Sequence, residues 1–360
     1  MFAPPPLPRN LEASFRDLAS DKPAVRASAI RDVVSHSLRS DATRARAVPA
    51  LERALKGDDD PRVRAAAAVA LADVAAREAL PSLLVAVEDD DAHVRQMALT
   101  ALGEIGDARA AQRLERALRD ERPEVRYQAV IAYARVAAAD ASAVAAALTH
   151  ALGDGDPAVR YIAMRVAEEH RTEGHALRDD GLTSRAERLL RSSDPAVSVV
   201  AALYLARHAN PDARAVVVDV IADRRRTPEL EDEQACIELA GRLDLRDAIP
   251  SLEKRVWGAR RAVRSVLSWG AGAGSRCAWH ARIALARMGH ARARAEILVD
   301  LGSWRRGTRE AAVVAAGRAR LAEAREVMQG LAGSVDAALL DEALAALAES
   351  PLAGICTDAR

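Results

Sequence analysis

A short motif recurs between residues 21 and 198 of this 360-residue chain: an acidic residue, usually a proline, and then Val-Arg, with Val-Ser in the last copy. Successive copies are 38, 31, 31, 34 and 38 residues apart. Their valines are Val25, Val63, Val94, Val125, Val159 and Val197. A period in this range is typical of stacked structural units, each of which cannot bury its apolar face alone. The sequence therefore predicts a repeat protein.

The repeated unit is a pair of helices, and residues 78–107 give its clearest copy. Residues 78–87 predict a short first helix, in whose opening turn Pro81 is tolerated. The carboxylates that end at Asp91 cap the second helix, and Gly106 ends it. The apolar positions between them follow one helical face. They are Val94, Met97, Ala98, Ala101, Leu102 and Ile105.

The same template predicts about ten helix pairs, with degenerate copies after residue 200. Half of the residues are hydrophobic but only 3% are aromatic, and the abundant Ala and Leu are the strongest helix formers. The expected fold class is therefore all-α. Second helices are expected near residues 24–38, 61–75, 92–105, 123–137, 157–170, 195–208, 230–243, 276–288, 307–319 and 336–348.

These repeats resemble the HEAT-repeat family, in particular its short bacterial form that is often labelled PBS-lyase HEAT-like. The resemblance covers essentially the whole chain, is strongest over residues 45–170, and implies an α-solenoid, a superhelical stack of helix pairs. It also implies a structural ladder, in which each Asp caps a second helix and each Arg reaches a carboxylate of the neighbouring repeat. The residues that would form it are Asp60, Arg64, Asp91, Arg95, Arg126, Asp156 and Arg160. Ser198 replaces the arginine of the last copy, so the ladder is expected to weaken there.

The repeat is interrupted twice, by a longer connection at 171–182 and by an insertion before Cys277. The insertion ends in a glycine-rich run, 268–275, which lacks the Lys-Ser/Thr ending of a phosphate-binding loop. The expected division is a flexible segment 1–10, repeats one to seven over 11–253, a Trp/Arg/Gly insertion 254–275 within repeat eight, repeats eight to ten over 276–350, and a flexible tail 351–360.

Positive charge is concentrated in one window. The chain has a formal net charge of zero, which argues against a protein that coats nucleic acid uniformly. Residues 254–309, however, hold thirteen basic residues against Glu296 and Asp300 alone, a net charge of +11. All four tryptophans fall in the same window. The sequence therefore predicts a contact region there.

Helical spacing selects the candidate partner-binding residues. It places Trp257 on the basic face of its helix, opposite an apolar stripe. Trp279 lies two positions after Cys277, in the slot that tyrosines hold in two earlier repeats, and second helices line the concave surface of such solenoids. The candidates are Trp257, Arg260, Arg261, Arg264, Trp269, Arg276, Trp279, Arg282, Trp304, Arg305, Arg306, Tyr127 and Tyr161.

Three interpretations of this region stay open. The tryptophans can fill gaps where the insertion meets the stack, while arginine stems cover apolar surface. Alternatively, Trp and Arg can anchor an acidic segment of a partner protein, since both are typical of interfaces. The third interpretation is a nucleic-acid-binding module, in which Arg contacts phosphate and Trp stacks on bases. The acidic first two-thirds of the chain argues against long duplexes.

Catalytic and metal motifs are missing from the sequence. The eight histidines show no metal-ligand spacing with a third ligand, so neither a metal nor a cofactor is predicted. The family resemblance does include lyases that attach bilins and HEAT-like DNA glycosylases. A glycosylase would need a carboxylate beside its tryptophans, and neither Glu296 nor Asp300 neighbours a tryptophan in sequence.

Three widely spaced cysteines, Cys236, Cys277 and Cys356, indicate reduced thiols in a cytosolic compartment. The start has no basic region followed by an apolar run, and no apolar stretch reaches the roughly 18 residues of a spanning helix. We therefore expect a cytoplasmic, non-catalytic scaffold or adaptor of bacterial type that binds a partner protein with an acidic segment and no membrane.

Overall fold

A computed structural model describes residues 10–172, 180–227, 229–258 and 273–348. Within these ranges the chain forms twenty α-helices and four short 3₁₀ turns, with no strand. The predicted all-α solenoid of helix pairs is therefore confirmed. The chain divides into two compact units, Met1–Arg185 and Ala186–Arg360. The predicted division into repeats, insertion and tails stays a prediction.

Ten helices lie wholly in the first unit, and each longer helix that follows an acidic turn is a second helix of a pair. They are α1 (Leu11–Asp17), α2 (Pro23–Ser37), α3 (Asp41–Gly57), α4 (Pro61–Asp73), α5 (Leu80–Ala86), α6 (Ala92–Ile105), α7 (Ala111–Ala117), α8 (Pro123–Val136), α9 (Ala141–Ala151) and α10 (Pro157–Thr172).

Helix α11 (Asp180–Leu189) follows, and nine helices belong to the second unit. They are α12 (Pro195–Ala206), α13 (Pro211–Ile221), α14 (Leu230–Arg242), α15 (Ile249–Trp257), α16 (Ala273–Arg287), α17 (Ala291–Leu301), α18 (Arg306–Ala319), α19 (Arg325–Gln329) and α20 (Ala337–Ala348). None of the helices in the described ranges is both long enough and apolar enough to cross a bilayer.

The acidic turns start the second helices because they satisfy amide groups that the helix leaves unpaired. Asp91 accepts hydrogen bonds from the amides of His93 and Val94, and Asp194 accepts one from Val197. Gly106 ends α6 in the left-handed conformation, with φ at 67°. One first helix differs from its prediction. A 3₁₀ turn precedes α5, which begins only at Leu80, because Pro81 lacks the amide hydrogen needed further into a helix.

Neighbouring second helices pack closely at glycine–alanine contacts. A Cβ added to Gly103 of α6 would lie 3.0 Å from the Cα of Ala132 in α8. In the second unit, a Cβ on Gly241 of α14 would lie 2.8 Å from the Cα of Ala284 in α16, and Gly317 of α18 stands equally close to Ala343 of α20. These contacts fix the register from one repeat to the next.

This register defines a valine slot, which is the position of Val63, Val94 and Val125 at the start of their second helices. Each of these valines is at most 1% exposed. Gly103 is nine residues after its slot, and Ala132 is seven residues after the next one. By the same offsets, the slot is held in the second unit by Asp232, Cys277 and Thr308, and the repeated motif places Val197 in the slot of α12.

Candidate protein-binding surface

Arginines that follow the valine slot join successive repeats of the first unit. Four of them each form a two-pronged ion pair, through Nε and Nη2, with an aspartate one repeat further on, at N–O distances of 2.6–3.0 Å. The pairs are Arg26–Asp58, Arg64–Asp89, Arg95–Asp120 and Arg126–Asp154. Each Nη1 also donates to a carbonyl of its own acidic turn. We call this set the arginine–aspartate ladder.

The accepting aspartates are not the capping residues singled out from the sequence. Asp60, Asp91 and Asp156 each cap their own helix, through amides two or three residues ahead. The acceptors stand two positions earlier in the same turns. Asp89, for example, takes the Asp91 amide at 2.9 Å as well as the guanidinium of Arg64. Sequence reasoning missed them, although the doubled acidic residues of each turn were the available signal.

Burial and charge act in opposite directions on these carboxyl groups. Burial raises the pKa of Asp89, but the bonds from Arg64 and from the Asp91 amide outweigh it and leave the pKa below its ordinary value. The pKa of Asp154 is lowered by the same balance, with Arg126 as its partner. Arg64 and Arg126 therefore favour the charged form of Asp89 and Asp154. Charge-assisted, two-pronged pairs of this kind are strong and directional.

The ladder changes character at the start of the second unit. Ser198 stands where an arginine is expected; it is fully buried and donates to the carbonyl of Leu190 at 2.8 Å. The guanidinium of Arg225, from the turn after α13, forms a hydrogen bond with the Ser198 hydroxyl. Arg225, which comes later in the chain, therefore brings a guanidinium to the position where the earlier repeats have their own arginine. Arg160, the last predicted member, bonds to the carbonyls of Asp154 and Gly155.

Asp232 is the second unusual residue of this unit. It lies in the valine slot of α14 and is fully buried. Cys236, one turn further along the same helix, is also fully buried. Burial, and then the nearby charges of Asp232 and Glu233, raise the pKa of the Cys236 thiol. The thiol is therefore held protonated, and it does not act as a nucleophile at neutral pH.

Trp257, at the end of α15, packs against α17. Its indole Nε1 donates to Glu296 at 2.9 Å, its ring stacks on His290 at 5.3 Å, and the guanidinium of Arg292 lies 4.3 Å from the ring centroid. His290 in turn bonds to Glu253 at 2.9 Å and caps α17 through Nδ1. The Trp257 side chain is half-buried. The fold thus brings Glu296 to a tryptophan that is far from it in sequence.

Trp279 lies on α16 between two other second helices. Its half-buried ring has the guanidinium of Arg318 at 5.5 Å and the His280 ring edge-on at 5.0 Å. Glu238 of α14 is shared by three basic groups, Arg318 at 3.4 Å, His280 at 3.5 Å and Arg242 at 3.8 Å. Trp279 therefore stands beside an arginine-rich part of the second-helix face that the sequence analysis did not single out.

Trp304 is the most exposed large apolar side chain of the described residues, with 83% of its surface in solvent. It lies in the turn between α17 and α18, and the guanidinium of Arg305 is 4.9 Å from its ring centroid. Arg309 donates to the carbonyls of Ser303 and Trp304 at 2.9 and 3.0 Å, which fixes the backbone of the turn. The three described tryptophans thus have separate ring partners.

Other candidates are in ion pairs or outside the described residues. Arg282 pairs with Asp300, and Arg306 with Glu310, both at 2.8 Å. Tyr127 and Tyr161 are half-buried on α8 and α10, two positions after their valine slots. Arg260, Arg261, Arg264 and Trp269 lie outside the described residues, as does the side chain of Arg276. Within the described part, no three His, Cys, Asp or Glu side chains are placed to hold a metal ion.

Comparison with known proteins agrees with this geometry. Residues 48–134 match the family of HEAT repeats. This part of the chain consists of HEAT repeats. Among solved structures, importin beta is similar at 15% identity and a TM-score of 0.52, over 95% of this chain and 53% of that chain. No curated protein matches the sequence.

Two further solved structures are similar to this chain. Kap95p, solved with RanGDP, has 14% identity and a TM-score of 0.51 over 95% of this chain and 52% of that chain. The complex of CpcE and CpcF of phycocyanin lyase from a Nostoc species has 19% identity and a TM-score of 0.43, over 70% of this chain and 96% of that chain. At these identities the likeness to importin beta and Kap95p shows the fold alone.

Proposed function

We propose that this HEAT-repeat protein is a non-catalytic scaffold or adaptor that binds a partner protein, with the Trp/Arg region of residues 254–309 as a principal contact. The observation that carries the proposal is the exposure of Trp304 beside Arg305. A large aromatic ring left in water gains free energy when a partner covers it, and Trp and Arg are the residues that most often dominate interface energetics.

The turn that carries Trp304 is fixed in advance. Arg309 ties the carbonyls of Ser303 and Trp304 to α18, and its Nη2 reaches the carbonyl of Ser334 at 2.9 Å. A contact residue on a fixed backbone loses less conformational entropy when it binds than one on an unrestrained loop. An exposed aromatic ring on such a turn is suited to insert into a pocket of a partner.

Four arginines of this region are already paired, which favours a protein partner over nucleic acid. Arg255, Arg282, Arg292 and Arg306 all form ion pairs with carboxylates, so their charge is already compensated. Arg292 also covers a face of the Trp257 ring. Single-stranded nucleic acid requires uncompensated positive charge and open stacking faces. A nucleic-acid module would retain short oligonucleotides in a salt-dependent way.

Glu296 supports a non-catalytic reading of the same region. Its Oε1 accepts hydrogen bonds from Trp257 Nε1 at 2.9 Å and from Arg292 Nε at 3.0 Å. The carboxylate is thus engaged as a structural acceptor between α15 and α17. We expect neither base release from DNA nor a bilin-binding spectrum from the purified protein, and either signal would favour an enzyme of the lyase or glycosylase type.

The test is quantitative affinity capture from the cells of origin, with the double variant Trp304→Ala/Arg305→Glu. A matched control exists in the first unit, where exposed Leu38 is followed by exposed Arg39. We expect a specific protein that the wild type captures to be lost with the Trp304 variant and kept with Leu38→Ala/Arg39→Glu. Equal capture by all three proteins would refute this contact region.

A further inference from the structure

One position of the second helices carries an arginine in four successive repeats of the second unit. The position is ten residues after the valine slot. Its occupants are Arg207, Arg242, Arg287 and Arg318, which we call the arginine row. The register rests on packing, since Arg242 and Arg318 directly follow the glycines that contact the next helix.

The same position in the first unit is mostly acidic. It is held by Ser35, Asp73, Glu104, Arg135 and Glu169, all of them exposed. Basic residues are generally favoured near a helix C-terminus, because the helix dipole is negative there. That effect applies equally to both units, so it does not account for acidic residues in one and arginines in the other. Arg287 does donate to the carbonyl of Arg318 near the end of α18, at 3.1 Å. Helix stability alone, however, does not explain why this position is basic in one unit and mostly acidic in the other.

Positive charge is poorly compensated at Arg242 and Arg318 of the row. Glu238 pairs with both of these arginines, and its carboxylate is also shared with His280, at N–O distances of 3.4–3.8 Å. In the arginine–aspartate ladder, by contrast, each arginine has a two-pronged pair at 2.6–3.0 Å. Burial, and then repulsion from Arg320 and Arg242, lower the pKa of Arg287. The part of the row from Arg242 to Arg318 is thus short of negative charge.

Spacing of the row limits the shape of a ligand. Packed helices lie about 8–10 Å apart, so arginines at one register position recur at about that distance along successive repeats. A polyproline II segment has three residues per turn and rises about 3.1 Å per residue, so every third side chain lies on one face at about 9 Å intervals. An extended peptide with a carboxylate at every third residue therefore matches the row.

We propose that the arginine row, together with Trp279, binds an extended acidic segment of the partner protein in which carboxylates recur at every third residue. This inference rests on the proposed scaffold function and names the chemistry of its partner. Arg318 lies over the Trp279 ring, and Glu238 stands within the row. Glu238 repels a continuous chain of phosphates but accepts a hydrogen bond from a peptide amide, so a peptide is favoured over a nucleic acid.

The test measures fluorescence anisotropy of a labelled peptide with full-length protein. In the probe, glutamate recurs at every third residue over four cycles, with proline and serine between. We expect binding that weakens as salt is raised. Arg242→Glu/Arg318→Glu should lower the affinity about tenfold or more, since both side chains are half-exposed, at 47% and 53%, and within reach of a ligand. Circular dichroism should show unchanged helix content.

Matched controls separate the row from general electrostatics. Arg135→Glu reverses the charge at the same position of a first-unit repeat and should leave the affinity unchanged. A peptide with the four glutamates contiguous should bind several-fold more weakly. Equal affinity for both peptides, an equal loss with Arg135→Glu, or an absence of binding at low salt would overturn the inference. Tighter binding of a single-stranded oligonucleotide, lost with Arg242→Glu/Arg318→Glu, would also overturn it.

Failure of this inference is distinguishable from failure of the proposed function. If the peptide does not bind, but cellular capture still depends on Trp304 and Arg305, the scaffold function stands and only the arginine row loses its role. If neither the peptide binds nor capture depends on those residues, both proposals fall.

Discussion

The indole Nε1 of Trp257 donates a hydrogen bond of 2.9 Å to Oε1 of Glu296, thirty-nine residues later in the chain. The two residues belong to α15 and α17, and Arg292 adds a second bond to the same oxygen. This contact ties together the helices on either side of the insertion and of α16. It gives Trp257 a role in packing, separate from the exposed role proposed for Trp304.

Removing this acceptor should destabilise the second unit. Glu296→Ala leaves the half-buried indole donor and Arg292 without their partner, and we expect a loss of about 1 kcal/mol in the free energy of unfolding. Chemical denaturation followed by circular dichroism measures it. Glu296→Gln is the control, because its amide oxygen can still accept from Trp257 and should recover most of the loss. Equal losses for both variants would contradict the assignment.

Breaking one rung of the arginine–aspartate ladder should cost more than removing an exposed ion pair. The side chains of Arg95 and Asp120 are only 10% and 13% exposed. Arg95→Met leaves the Asp120 carboxylate without its guanidinium, and we expect a loss of about 3 kcal/mol in urea unfolding. Arg246→Met, which removes a pair with Asp244 whose two side chains are 73% and 53% exposed, is the control and should change the midpoint little.

Acid should weaken the turns of the first unit. A side-chain hydrogen bond from Arg62 is the largest cause that lowers the pKa of Asp60 from 3.8 to about 2, and Arg109 lowers the pKa of Asp107 to about 2 in the same way. A carboxyl group with a lowered folded-state pKa stabilises the fold above its unfolded pKa, and this contribution disappears as pH falls through the folded value. The urea midpoint should therefore fall between pH 3.8 and about 2. Asp60→Asn/Asp107→Asn should flatten that fall.

Two glycine substitutions should act in opposite directions. In Gly241→Ala the new Cβ would lie 2.8 Å from the Cα of Ala284, so α14 and α16 must separate. Overpacking of this kind costs about 1–3 kcal/mol, which exceeds the helix propensity that alanine gains. A Cβ on Gly307 in α18 meets no atom within 4 Å, so Gly307→Ala should stabilise by up to about 1 kcal/mol. Thermal unfolding of the two variants and the wild type measures both effects, and a higher Tm for Gly241→Ala would contradict the close contact.

The helix pairs could be predicted because their signals are local. Acidic caps, prolines and a 3.6-residue apolar period occur within each repeat, and every expected second helix lies within three residues of its observed bounds. The valine slot could also be recognised from the sequence in the repeats where a valine occupies it. Asp232 escaped notice in that slot because a buried carboxylate breaks the apolar pattern by which the slot is recognised.

The contacts between repeats could not be predicted, because they depend on how neighbouring units align. Neither the Trp257–Glu296 bond nor the contact between Arg225 and Ser198 has a fixed offset in sequence. The arginine row is regular in structure but not in sequence, since the insertion places Arg242 and Arg287 further apart than Arg287 and Arg318. Its register became visible only through the contacts of Gly241 and Gly317.

The arginine–aspartate ladder is directional, because each arginine pairs with an aspartate of the following repeat. Asp89 organises its own turn, yet the guanidinium that neutralises it comes from Arg64, one repeat earlier. Trimming repeats from the amino-terminal side therefore strips an arginine from the newly terminal turn, whose carboxylate can then be hydrated. Trimming from the opposite side leaves an arginine that still holds its own carbonyl but has lost the aspartate ahead of it. Shortened versions of equal length should thus differ in stability according to which end was cut.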